Sequence, residues 1–115
     1  MPRREPRFGE IWWVRNEDLG IAQPGSHPVL VLGGSKFKGG PVRIAPGSGS
    51  FRPTAEEVAL PVNPGDCDPE TALNKHTRFR VHENRRISPE KLWKYIATLK
   101  APKLKDLQLL REQFP

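Results

Sequence analysis

The side chains of this chain that could do chemistry are three histidines, one serine and a run of arginines. They are His27, His76 and His82, Ser48, and Arg78, Arg80, Arg85 and Arg86. Histidine titrates near neutrality and can take or give a proton. Arginine keeps its charge and can grip a phosphate through two donors. Two histidines flanking a phosphate ester, with an arginine beside them, would form a complete metal-free acid–base set. Each residue also has a plainer reading. His27 precedes Pro28, which holds its backbone extended, and it can be a solvated loop residue. His82 can pack beside a strand end. Ser48 lies in a Gly-Ser stretch, where serine often serves local hydrogen bonding. The arginines can be a solvated face, and His76 has no motif around it.

Other chemistries find little support. No Cys-x-x-Cys or His-x-x-x-His spacing occurs, so neither a metal nor a cofactor is expected. Glu56-Glu57 is a lone acidic pair. Gly33-Gly34 and Gly47-x-Gly49 are not followed by a Walker pattern. The single cysteine, Cys67, cannot form an internal disulfide. The charged start Met1-Pro2-Arg3-Arg4-Glu5-Pro6-Arg7 has no signal-peptide core, and Val29–Leu32 is too short to cross a bilayer. A cytoplasmic protein is expected. The net charge of +6 favours a polyanion or an acidic protein as partner.

Elements must hold these residues in place. With 115 residues, of which 36% are hydrophobic, the chain can build one small core. Its 13 prolines and 10 glycines favour short strands and turns over a helical bundle. Residues 1–8 read as a basic arm and 9–115 as one domain. Strands are expected at Glu10–Arg15, Pro28–Leu32, Val42–Ala45, Val58–Val62, Thr77–Val81, Arg85–Ile87 and Trp93–Leu99. Pro28–Leu32 carries apolar residues on both faces, as a strand buried on both sides should. Trp12 and Trp13 must point to opposite faces. In the fifth strand, Phe79 and Val81 share one face and Arg78 and Arg80 the other. Asn16–His27 reads as a polar loop, and Pro46–Ser50 as a turn. Asp68-Pro69-Glu70 can start one helical turn. Pro102–Gln113 is the one full helix, with Leu104, Leu107, Leu110 and Phe114 recurring at helical steps. Short strands closed by one helix predict a mainly β small barrel.

Several segments together resemble the PemK/MazF/Kid toxins, small endoribonucleases of toxin–antitoxin systems. The segments are Gly9-Glu10-Ile11-Trp12, Gln23 and Gly25 in the first loop, and Gly25-Ser26-His27-Pro28. Val42-Arg43-Ile44-Ala45-Pro46-Gly47-Ser48 and His82-Glu83-Asn84-Arg85-Arg86-Ile87 continue the series. Leu92 and the Ile96-Ala97-x-Leu99 pattern follow in the family's order. The chain departs from the family at two positions of interest: His27 replaces the usual first-loop arginine, and His82 replaces an aspartate proposed as acid or base. Ile21 stands where some members carry a histidine.

The resemblance implies an SH3-like barrel with a C-terminal helix, a homodimer, and an acidic antitoxin as partner. It implies metal-independent cleavage of single-stranded RNA by attack of a 2′-hydroxyl. In that reading His27 and His82 are the acid and base, Arg80 stabilises the phosphorane, and Ser48 is the family's catalytic hydroxyl. Arg85 and Gln23 would touch RNA. So would Phe51 and Arg52, where an aromatic and a cation adjoin in a loop. A non-catalytic binding module on the same fold is the alternative.

Overall fold

The computed structural model describes residues 5–34, 39–48, 58–70, 73 and 75–113. Eight strands form one antiparallel sheet: β1 Glu10–Arg15, β2 Ser26–Gly33, β3 Val42–Ser48, β4 Ala59–Val62, β5 Cys67–Asp68, β6 Thr77–Arg80, β7 Arg85–Ile87 and β8 Lys94–Leu99. Their order is β4-β6-β3-β2-β1-β8-β5, with β7 also paired to β3. The helix α1, Ala101–Gln113, follows β8 and packs against β4. The expected mainly β barrel with a C-terminal helix is what the chain forms.

The alternation of apolar residues explains the shape. On β1 and β2, Ile11, Trp13, Leu30 and Leu32 turn to one face, and Trp12, Val14, Val29 and Val31 to the other. Both sets are covered, so β2 is buried on both sides as its composition predicts. The sheet curls around the first set into a nearly closed barrel, joined there by Ala45, Phe79, Val81 and Leu107. The second set forms an outer cluster under Leu19, Ile21, Ile87, Leu92 and Tyr95.

Two glycines make the curl possible. A Cβ at Gly47 would lie 2.8 Å from the Pro28 carbonyl oxygen, 2.8 Å from Thr77 Cγ2 and 3.0 Å from Phe79 Cε1. Three strands crowd that point, and only hydrogen fits. Gly9 has φ +86°, and a Cβ there would run into the Leu104 side chain. Gly9 thus sets how closely α1 can dock. Leu107 is fully buried, Leu104 and Leu110 are partly buried against the core, and Lys105 and Arg111 are exposed. Phe114 lies outside the described residues.

A buried carboxylate closes the start of β1. Glu10 Oε1 accepts hydrogen bonds from the Arg7 N–H at 2.8 Å and from Trp12 Nε1 at 3.1 Å. Trp12 in turn packs edge-on against Tyr95. At the far edge of the sheet Cys67 is paired with Leu99 and is fully buried. Burial, with Asp66 beside it, pushes the Cys67 thiol up from its ordinary pKa.

Some local expectations are corrected. Asn16–Leu19 is a 3-10 turn, and β2 begins at Ser26, so His27 belongs to a strand. Pairing of Arg15 with Ser26 and Val14 with His27 draws them into the sheet. Pro46–Ser48 continues β3, because β6 pairs with Gly47 and Ser48. The helical turn of the irregular segment is Pro64–Asp66, not Asp68-Pro69-Glu70. Asn63 and Asp66 form a capping box there, with Pro64 in the first turn, and Cys67–Asp68 is pulled onto β8 as β5. β6 stops at Arg80, where Val81 opens another 3-10 turn.

Candidate active site

The first loop is organised by one buried amide. Asn16 is 4% exposed. Its Nδ2 donates to the Gln23 carbonyl at 3.0 Å and to the Pro24 carbonyl at 3.4 Å. Its backbone N–H donates to Gly25 O, and its carbonyl accepts from the Ile21 N–H, both at 2.9 Å. The remaining atom, Oδ1, lies 2.5 Å from His27 Nδ1. An amide whose NH2 is spent on carbonyls can offer that ring only an acceptor. The proton of a neutral His27 ring therefore sits on Nδ1, and Nε2 carries the lone pair.

The sheet brings other groups beside this ring. β2 and β3 pair at Val29 with Pro46 and Leu30 with Ala45. One step further the register sets Pro28 against Gly47, where a Cβ would be 2.8 Å from the Pro28 oxygen. The ladder between β2 and β3 ends at Val29 and Pro46, with His27 and Ser48 each two residues beyond it on its own strand. Ser48 is paired in turn with Arg78 of β6. His27, at the start of β2, and the Ser48–Arg78 pair of β3 and β6 make up a row at that end of three successive strands. Ser48 and Arg78, as cross-strand neighbours, have Cβ atoms about 4.5–5.5 Å apart. The row projects to the same side as Val14, the outer-cluster residue paired with His27.

This strand order, with its closing helix, has counterparts among known proteins. The model of the PemK-like, MazF-like toxins of type II toxin-antitoxin systems matches residues 7–112. The chain belongs to that family. Among solved structures, a chain of the MazE-MazF crystal structure (Form-II) from Deinococcus radiodurans is similar at TM-score 0.60 and 19% identity, over 92% of this chain and 90% of that one. That likeness is one of fold. No curated protein matches in sequence.

Within this PemK/MazF-like domain the other expected site residues are spread out. Arg80 lies two residues beyond Arg78 on the same face of β6, and its Nη1 is 3.4 Å from Glu83 Oε2. His82 stands past the end of β6, in the turn Val81–Glu83. Its Nδ1 lies 3.2 Å from the Val58 N–H nitrogen and 3.1 Å from the Val58 oxygen, and its Nε2 is 3.8 Å from Glu83 Oε1. His82, in that turn, stands outside the row. Arg85 Nη1 donates to the Leu19 carbonyl at 2.8 Å, pinning β7 to the turn before the first loop. Gln23 is exposed on that loop, and its carbonyl is one of the two that Asn16 holds. Phe51 and Arg52 lie outside the described residues. His76 precedes β6 and is turned to Asn63 Oδ1 at 2.8 Å.

Two residues of the site carry little signal for this role in the sequence. Asn16 has no motif around it. Arg78 reads only as part of a basic face, and strand pairing is what makes it Ser48's neighbour. Among the described residues, no group of three His, Cys, Asp or Glu could hold a metal ion. No described helix is long and apolar enough to cross a membrane.

Proposed function

We propose that this protein is the toxin of a type II toxin-antitoxin pair and a metal-independent endoribonuclease on single-stranded RNA. Membership of the family supports the first part. The observation that carries the second is the Asn16–His27 contact, which leaves Nε2 as the lone-pair nitrogen of the ring; this reading sets the phosphate between that ring and the Ser48–Arg78 pair. His27 is then the base: Nε2 takes the proton of the 2′-hydroxyl, whose oxygen attacks the adjacent phosphorus. Ser48 positions the phosphate. Arg78 and Arg80, on one face of β6, stabilise the charge of the phosphorane. His82 is the acid that protonates the leaving 5′-oxygen, and the product carries a 2′,3′-cyclic phosphate. In this reading the protein is a cytoplasmic homodimer, with Gln23 and Arg85 flanking the bound strand. An acidic antitoxin covers the site, in keeping with the MazE-MazF pairing of the Deinococcus radiodurans structure.

The position of His82 outside the row favours one rival, a module that binds RNA without cutting it. Purified protein incubated with mixed-sequence RNA in EDTA separates the two. Cyclic-phosphate products that disappear in His27→Ala support the nuclease. Intact RNA that is nonetheless bound supports the module.

A further inference from the structure

The end of β2 and β3 remote from His27 holds a second cluster of charge. Arg43 of β3 stands directly opposite Arg86 of β7 and beside Gly33 of β2. A Cβ at Gly33 would lie 3.8 Å from an Nη of Arg111. Gly33 sits at a β-bulge, but Arg43 lies two residues from Ala45 on β3 and opposite Arg86 of β7, so both arginines turn to the face on which Leu107 of α1 packs. The Arg111 guanidinium, reaching in from the last turns of α1, therefore lies on the face to which Arg43 and Arg86 point. It also lies over the Phe8 ring, 5.0 Å from its centroid.

Three permanent cations from β3, β7 and α1 gather here. Among the described residues none of them has an ion-pair partner. Like charges directly opposite across two strands cost stability, and the net charge of +6 adds to that cost. Beyond the stacking of Arg111 on Phe8 the fold gains nothing from the arrangement, whereas an anion bound here would be held by all three cations. The donors are planar forks at about the 5 Å strand spacing, one of them stacked on an aromatic ring, which suits phosphodiesters and bases. An acidic peptide adding itself as a strand would need an open sheet edge. β3 is paired here on both sides, with β2 and β7, and the open edge beside Arg86 belongs to β7, a strand of three residues paired with β3 alone among the described residues, which is short for such a peptide.

We propose that Arg43, Arg86 and Arg111 form a second phosphate-binding site, gripping the RNA backbone away from the His27 row. The proposal rests on the reading that RNA is the ligand, but not on its being cut. The test uses 2′-O-methyl RNA, which cannot be cleaved, and fluorescence anisotropy across a range of salt. In the Arg43→Gln/Arg86→Gln/Arg111→Gln variant the plot of log affinity against log salt should become shallower by about 0.7 for each phosphate no longer neutralised, about 2 in all. The melting midpoint should hold or rise, and the cleavage rate at saturating RNA should not change. Arg86→Gln alone, at an exposed position, should remove part of the slope. A folded triple variant with the wild-type slope would overturn the proposal. So would a wild type that ignores RNA, or one that binds polyglutamate through these arginines in preference to RNA. RNA held but left uncut by the wild type would sink the nuclease and leave this site standing.

Discussion

The two faces of the central strands are made from alternate residues of the same segments, yet they are built for different ends. The inner face is apolar throughout and is closed by Leu107 of α1 and by the tight passage at Gly47. The outer face is apolar only in its middle. Beyond Val14 and Val29 it turns polar, and there a buried amide fixes a histidine ring at the start of β2. One face spends its residues on packing. The other gives up packing at one end to hold polar groups in a set orientation. Damage to the first should appear as lost stability, and damage to the second as lost chemistry in a protein that still folds.

The strongest test of that division is His27→Ala. Losing a general base should lower the cleavage rate about 10²–10⁴-fold, with RNA binding nearly unchanged and the melting midpoint lowered somewhat by the Asn16 Oδ1 left without its partner. His82→Ala should cost less, since its ring stands outside the row. The pH profile should be bell-shaped if two histidines act in opposite protonation states. On the inner face, Leu107→Ala should cost about 2–5 kcal/mol in denaturant unfolding and leave the chemistry of the folded fraction intact. Gly47→Ala should cost about 1–3 kcal/mol, because its methyl group meets backbone on one side and two side chains on the others. If that variant also loses activity, the two faces are coupled where Gly47 adjoins Ser48. Asn16→Asp sharpens the outer-face account. A carboxylate at that position should favour the imidazolium and move the His27 limb of the profile to higher pH. ¹⁵N spectra of the ring should show the proton on Nδ1 in the wild type, and the absence of that tautomer would remove Asn16 as its cause.

The smallest effect belongs to an exposed pair. Glu70 Oε1 is 2.5 Å from Lys100 Nζ, which holds the Glu70 carboxyl below its ordinary pKa and the Lys100 ammonium above its own. A lowered carboxylate pKa stabilises the fold above the unfolded value and ceases to do so as pH falls through the folded value. A raised ammonium pKa acts in mirror image, failing only as pH rises through the folded value. The difference in melting midpoint between wild type and Glu70→Gln should be slight at neutral pH. It should vanish in acid and shrink with added salt.

Much of the fold can be read from local pattern. Period-two alternation marks β6, a run apolar on both faces marks β2, aromatic and branched residues mark β1, and leucine spacing marks α1. Asn63-Pro64-x-Asp66 carries a stronger capping signal than Asp68-Pro69-Glu70, and the helical turn forms there. What local pattern does not carry depends on partners distant in the chain. Ser48 becomes a strand residue only because Arg78 pairs with it, thirty positions on. Asn16 looks like any loop asparagine until the loop closes over it and spends its NH2 on two carbonyls. His82 matches a motif position, but the turn at Val81 carries it off the strand. Motif order locates the histidines, and register decides which groups stand next to them.

The lone thiol at the edge of the barrel gives the molecule a clock. Cys67 lies beneath the β5–β8 pairing, fully covered, with its thiolate disfavoured by burial. A reagent in solution can meet it only in the interval when the two-residue strand β5 has come away from β8. The rate of labelling then counts how often that edge lifts, without dyes or engineered sites. Repeating the count with RNA or an acidic partner bound would show whether either ligand reaches across the sheet to hold the edge shut.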